Sequence, residues 1–420
     1  MEGDRFPNNS LNEVRANMTN RLLCGFLVIG LFFGVLFYDF IDTNLHFSYI
    51  DEVLALILSL FTLFSFVHVR QVKIESYWFW LFGIFLFYII YSFLIHSNAS
   101  SAILQDAVVE IKPFLGFFCA YTIAVELTSG QKKIIRYACF FAMFCLLLTT
   151  PKMHYFLGHP SRYATAATFI AMLYLFVSDF TKRNLVVFIL MLFVAVFSAK
   201  AKAFGFVALA GIFSIFYYKD IRFKFSLKSV IISLVVLALV VVVAWQKIYF
   251  YFIYGAQNMS SNELEDAFAR PAMYWGAWQV LFDYFPFGSG FSSYGTFFSA
   301  KYYSDIYYVY SLNMIQGITD QDPAFIADAY YPSLAQYGIA GFLIFFYFWF
   351  YVIKNAVKYR FHEGLESAKF VLIILLIVAF FGIELIADTT LTHNRGFFMM
   401  VLMGLSLRLL RDRYSNIELE

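Results

Sequence analysis

Charge is what this chain has least of. Only 14% of its 420 residues are Asp, Glu, Lys or Arg, while 61% are hydrophobic. So few charges exclude the polar surface of an ordinary soluble domain. Cysteine is nearly absent as well. Cys24, Cys119, Cys139 and Cys145 all fall inside apolar segments, where they read as small buried hydrophobes and not as a disulfide or zinc framework. The histidines have no ligand spacing, so no metal site is expected. A net charge of +2 gives no argument for a nucleic-acid partner. No internal repeat is visible, which speaks against transporter plans built from two related halves. The first apolar stretch lacks a small-residue cleavage pattern and reads as a retained helix, not a signal peptide.

What is there is a succession of apolar runs long enough to cross a bilayer. About twelve are read, at 22–41, 52–69, 77–95, 113–127, 135–150, 164–179, 184–199, 203–218, 229–245, 333–353, 368–388 and 394–410. The expected fold is an all-α polytopic membrane protein, a single integral domain over 1–420. An even number of spans puts both termini on one side. Most Lys and Arg residues gather in the linkers of that side, which the positive-inside rule makes cytoplasmic. Nine of the thirty do not: Lys112, Lys152, Arg162, Lys200, Lys202, Lys247, Arg270, Lys301 and Arg395. Between spans nine and ten lies one long connector, 246–332, on the outer face. In it, Ser260 and Glu263 offer a capping box, and Pro271 opens a helix that ends by Pro286. Gly288-Ser289-Gly290 then reads as a flexible turn, and the aromatic run Tyr302 to Tyr310 suits the headgroup level.

The misplaced cations draw attention to chemistry. Ser198-Ala199-Lys200-Ala201-Lys202 sets two ammonium groups and a hydroxyl at an outer junction, a pattern that suits phosphate as well as simple snorkelling. Arg270 carries a guanidinium fork able to grip a pyrophosphate, or an i,i+4 partner for Asp266. Asp328, just before span ten, suits a general base or a helix N-cap. Glu384 lies within an apolar stretch, where an ionisable group is costly unless paired; Arg395 or Lys112 is the expected partner. Asp106, Glu110 and Lys112 form a similar group at the entry to span four.

These segments, in this order, resemble the bacterial O-antigen ligase and polymerase superfamily. The resemblance is carried by Ser198–Lys202, by Arg270 with Pro286-Phe287-Gly288-Ser289-Gly290, and by Asp328-Ala329-Tyr330-Tyr331 leading into Tyr337-Gly338-Ile339-Ala340-Gly341. It implies a glycosyltransferase at the periplasmic face of the bacterial inner membrane, with the long connector periplasmic. The substrate would be an undecaprenyl-pyrophosphate-linked oligosaccharide, with membrane lipid around it, a chain-length regulator as a partner and no cofactor. By the same resemblance Ser198, Lys200, Lys202 and Arg270 bind the pyrophosphate, with Arg270 catalytic; from its own position Asp328 is read as the catalytic base, and Lys112, Glu384 and Arg395 as accessory residues or structural ion pairs. Two departures stand out. Lysines replace the arginine frequent in the first motif, and the long connector holds no histidine where the ligase branch carries one. The second departure favours a repeat-unit polymerase over an O-antigen ligase acting on lipid A–core. A lipid-linked glycan flippase is the remaining alternative.

Overall fold

A computed structural model describes residues 8–47, 49–68, 75–123, 127–219, 268–360 and 365–417, with Trp245 and Tyr249. Among the described residues there are helices and no strand. The chain opens with α1 (Asn8–Ile29), which runs on as a π-helical stretch, Gly30–Leu36, into α2 (Tyr38–Leu45). Then follow α3 (Ile50–His68), α4 (Ser76–Leu94), α5 (Ser100–Thr122) and α6 (Ser129–Thr149). The short α7 (Met153–Leu157) leads to α8 (Pro160–Val177), α9 (Lys182–Phe193) and α10 (Ala201–Tyr218). After the gap come α11 (Ala269–Asp283), α12 (Phe297–Lys301), α13 (Ile306–Val309) and α14 (Tyr330–Ser333). Three long helices finish the chain: α15 (Gly338–Arg360), α16 (Leu365–Glu384) and α17 (Asn394–Ile417). Span nine up to Trp245, the Ser260–Glu263 capping box, Lys247 and Asp266 lie outside the described residues.

Six described segments are long and apolar enough to cross a membrane: Thr19–Leu36, Ser76–Leu94, Ser129–Leu157, Ala201–Tyr218, Tyr330–Tyr359 and Glu366–Glu384. Their outer faces carry bare Leu, Phe and Trp, with Phe79, Trp80 and Leu94 each more than 70% exposed. An aqueous protein does not present such continuous apolar walls, whereas lipid solvates them. The chain is therefore a multi-pass, membrane-embedded all-α protein.

α8 sits at the centre. Every residue from Tyr163 to Val177 is buried, as befits a helix surrounded by others on all sides. α5 and α17 pack along each other because small residues let their backbones approach. A β-carbon on Gly404 would stand 2.3 Å from the Phe117 carbonyl oxygen, and one on Gly116 would enter the Phe397 ring. Gly404→Leu is accordingly expected to force these helices apart. The cost should be about 1–3 kcal/mol, seen as a lower melting temperature of the purified protein.

Two expectations are corrected. α5 starts at Ser100, well before the expected 113, so Asp106, Glu110 and Lys112 lie inside a helix and not at its entry. Hydropathy falls over these charges, but the helix continues because each is partnered. The Ser292 amide donates to Asp106 at 2.7 Å, Tyr330 donates to Glu110 at 2.8 Å, and Lys112 pairs with Asp51 and Glu52. Nor is Gly288–Gly290 a flexible turn. Gly288 and Gly290 take φ of +79° and +83° and run beside the Gly338 backbone, with Gly290 N–H donating to Gln336 O at 2.8 Å.

Residues 268–335 build a cap with a small core of its own, including Met273, Val280, Tyr294, Tyr307, Ile315 and Ile318. Tyr307 is wholly buried there, so the aromatic run from Tyr302 to Tyr310 is partly cap core, while Tyr308 and Val309 are exposed. Ser97 and Asn98, at the loop before α5, fasten the cap by donating to Phe291 O and Ser292 O.

Candidate functional site

α16 begins at Leu365 and ends at Glu384, and α17 starts at Asn394, so the α16–α17 turn marks one end of the bundle. The cap lies over this end. Thr389 of the turn donates to Ala327 O, and the Tyr330 amide donates to Leu385 O at 3.1 Å. Tyr274, one helical turn beyond Arg270 on α11, donates to Ile386 O at 2.8 Å. Four separate segments are thereby brought to a single place: the start of α10, the start of α11, residues 327–331 and the α16–α17 turn.

Arg270 and Asp328 meet there. They are 58 residues apart in sequence, yet Nε of Arg270 donates to Asp328 Oδ2 at 2.7 Å and Nη2 reaches the same oxygen. Both side chains remain about a quarter exposed, 24% and 27%, so the pair faces an accessible space. Burial pushes the Asp328 carboxyl up, more than Arg270 pulls it down, and the net position is above the ordinary carboxylate value.

Lys202 forms the second half. Its ammonium pairs with Glu384 and, at 3.2 Å, with Asp388. Glu384 is buried, and Thr390 donates to the other Asp388 oxygen at 2.7 Å. The two halves adjoin: Asp388 and Lys202 both act electrostatically on Asp328. The arrangement offers two cations, each carried by carboxylate, under a cap with Tyr274 at its edge. A polyanion entering this space can exchange for those carboxylates, because a phosphate oxygen offers the same acceptor geometry with more charge.

The other expected residues fall elsewhere. Arg395 pairs with Asp39, and Lys112 with Asp51 and Glu52, so neither is the partner of Glu384; Lys202 is. Charge type and topology allowed any of the three, and only packing selects one. Ser198 is buried, with its Oγ accepting from the Lys200 amide at 3.3 Å. That contact shapes the turn: a 3₁₀ stretch, Val194–Ser198, ends at Ala199 with φ +53°, and α10 then restarts. The reversal sends the two lysines apart. Lys202 turns toward Glu384, while Lys200 reaches the His159 ring, with Nζ and Nε2 3.4 Å apart. Partial burial first, and then Lys200, holds His159 below its ordinary value. Among the described residues no cluster of His, Cys, Asp and Glu has metal-binding form.

Asp388 and Tyr274 also belong to the site. The sequence groups Asp388 with Glu384, His393 and Arg395 at the outer turn between spans eleven and twelve, whereas Tyr274 is one of thirty tyrosines and carried no signal as a site residue. No protein-family model matches this chain, and no curated protein matches it.

Proposed function

We propose that the chain is a repeat-unit polymerase of a surface polysaccharide. It is a glycosyltransferase that uses undecaprenyl-pyrophosphate-linked oligosaccharides at the periplasmic face of the bacterial inner membrane. The observation that carries this reading is the meeting of Arg270, Asp328 and Lys202 beneath the cap. In this reading twelve spans cross the inner membrane, both termini are cytoplasmic, and residues 246–332 form the periplasmic loop between spans nine and ten.

The donor's pyrophosphate enters and takes the guanidinium fork of Arg270 and the ammonium of Lys202. Asp328, released from Arg270, accepts the proton of an acceptor-sugar hydroxyl, and its raised basicity suits that role. The hydroxyl oxygen bonds to the donor's anomeric carbon as the bond from that carbon to the pyrophosphate oxygen breaks. The electron pair leaves with the lipid pyrophosphate, whose growing charge the two cations stabilise. The leaving group is built into the substrate, so the step draws on no cofactor. A chain-length regulator is the protein partner such a polymerase calls for.

A deletion strain, with and without the gene restored, tests the reading on a gel of surface polysaccharide. Core bearing a single repeat and no ladder is expected. Bare core with long lipid-linked chains inside would assign a ligase. Single repeats stranded in the cytoplasmic leaflet would assign a flippase, and an unchanged ladder would remove the polymerase reading.

A further inference from the structure

The Arg270–Lys202 site leaves a second group of cations unused. On α8, Arg162 is half-buried and donates to Asp39 at 2.7 Å; the buried Arg395 pairs with the other oxygen of the same carboxylate. The Arg395 Nε is buried with no hydrogen-bond partner. Lys200 forms no ion pair among the described residues, and it acts on His159 together with Asp388, which opposes it, Lys202 and Arg162. Arg162 and Arg395 thus share one carboxylate, while Asp388 is paired with Lys202 and accepts from Thr390.

The contact between Lys200 and His159 is more telling. The Ser161 amide donates to His159 Nδ1 at 3.2 Å, so in the neutral ring Nε2 carries the proton. An ammonium and an N–H therefore face one another at 3.4 Å, two donors with no acceptor between them. Such a pair is satisfied by an anion that bridges both.

Beside it opens a cleft of about 540 Å³, lined by Lys152, Met153, Tyr155, Pro160, Phe197 and Ser198 among others. Its walls adjoin the pair, since Pro160 follows His159 and Ser198 lies two residues before Lys200. Tyr155 and Phe197 are 60% and 49% exposed on its apolar side, and Lys152 adds another charge. Cations at one end and apolar walls beyond them suit a phosphate carried on a hydrocarbon chain.

We propose that Arg162, Lys200 and His159, with the adjoining cleft, bind a second lipid phosphate, and that in the working enzyme this is the pyrophosphate of the acceptor. The lipid-phosphate chemistry stands on the site itself; the acceptor assignment rests on the polymerase reading. Polymerisation needs two lipid-linked substrates at once, and the parting of Lys200 from Lys202 supplies two separate anchors at the start of α10.

The test is the number of sugar-free polyprenyl pyrophosphates held by the purified full chain in phosphatidylcholine nanodiscs, read by native mass spectrometry. Wild type is expected to hold two. Lys200→Gln combined with Arg162→Gln should hold one, and Arg270→Gln should also hold one, with the lost equivalent weakened about ten- to a hundredfold. Asp39 keeps Arg395 in the double variant, and Lys200→Gln alone serves if the double variant melts lower than wild type. One equivalent on wild type, or two on the Lys200→Gln variant, overturns the second site. Displacement of the second equivalent by an equal concentration of phosphatidylglycerol overturns the acceptor assignment and leaves a general phospholipid site. Two equivalents with an unchanged polysaccharide ladder after gene deletion would remove the polymerase reading while keeping the site. One equivalent with a lost ladder would do the reverse.

Discussion

If the chain is the proposed polymerase, Arg270→Ala is expected to slow polysaccharide chain growth by at least about a hundredfold, the scale of losing one preorganised donor to a developing anion. Arg270 is placed for this by α11, whose first turn it occupies, and by Asp328, which holds the guanidinium by Nε and Nη2. Arg270→Lys keeps the charge but loses the fork, and is expected to recover only a small part of the rate. The companion variant is Asp328→Asn. An amide still accepts a hydrogen bond from Arg270 but cannot take a proton, so a loss of about 10²–10⁴ in turnover with little change in KM is expected for a base. Both are measured with purified enzyme and lipid-linked repeats, by counting repeats added over time. Wild-type turnover by Asp328→Asn would make this carboxylate a holder of Arg270 and nothing more.

Lys202→Met carries the largest expected loss of stability, about 3–5 kcal/mol, because it strips a buried carboxylate of its cation. Glu384 is 2% exposed and sits at the end of α16, with Lys202 as its ion-pair partner. Left alone it must either remain charged in apolar surroundings or take up a proton. The double variant Lys202→Met with Glu384→Gln removes the buried pair, leaves the more exposed Asp388 held by Thr390, and is expected to restore most of the melting temperature. Under the proposed function it should nonetheless remain inactive, because the proposed pyrophosphate anchor is gone. That split distinguishes a structural pair from one that also binds substrate. A double variant with full chain growth would take Lys202 out of the mechanism, and one that stays unstable would mean that Asp388, the other carboxylate paired with Lys202, also depends on that cation.

Much of the helical plan was legible because lipid leaves a blunt mark on sequence. Apolar runs of span length are costly anywhere but in a membrane or a core, and the six segments long enough to cross all fall on expected spans. The signal failed where charge and helix coincide. Asp106, Glu110 and Lys112 depressed the hydropathy of α5, whose true beginning depends on partners from α3 and the cap, far away in sequence. Gly288 and Gly290 looked flexible for an equally local reason: glycine marks a positive φ, but only the neighbouring backbone at Gln336–Gly338 decides whether that turn is loose or packed.

The site divides along the same line. Lys202, Arg270, Asp328 and Glu384 were singled out by kind and position, since a charge near an apolar boundary calls for an explanation wherever it occurs. Their pairing was not determined, because an ion pair is a matter of a few ångströms between segments far apart in the chain, 58 residues for Arg270 and Asp328 and 186 for Lys202 and Asp388. Sequence by itself determined that this is a multi-pass helical protein and that certain charges near the ends of its helices must be partnered. Tertiary structure alone decided that Arg270 is held by Asp328, that Lys202 and not Arg395 neutralises Glu384, and that Lys200 turns away to face His159. The physical reason is that hydrophobicity is a property of each residue, summed along the chain, whereas the energy of a buried charge depends on which opposite charge packing brings within reach.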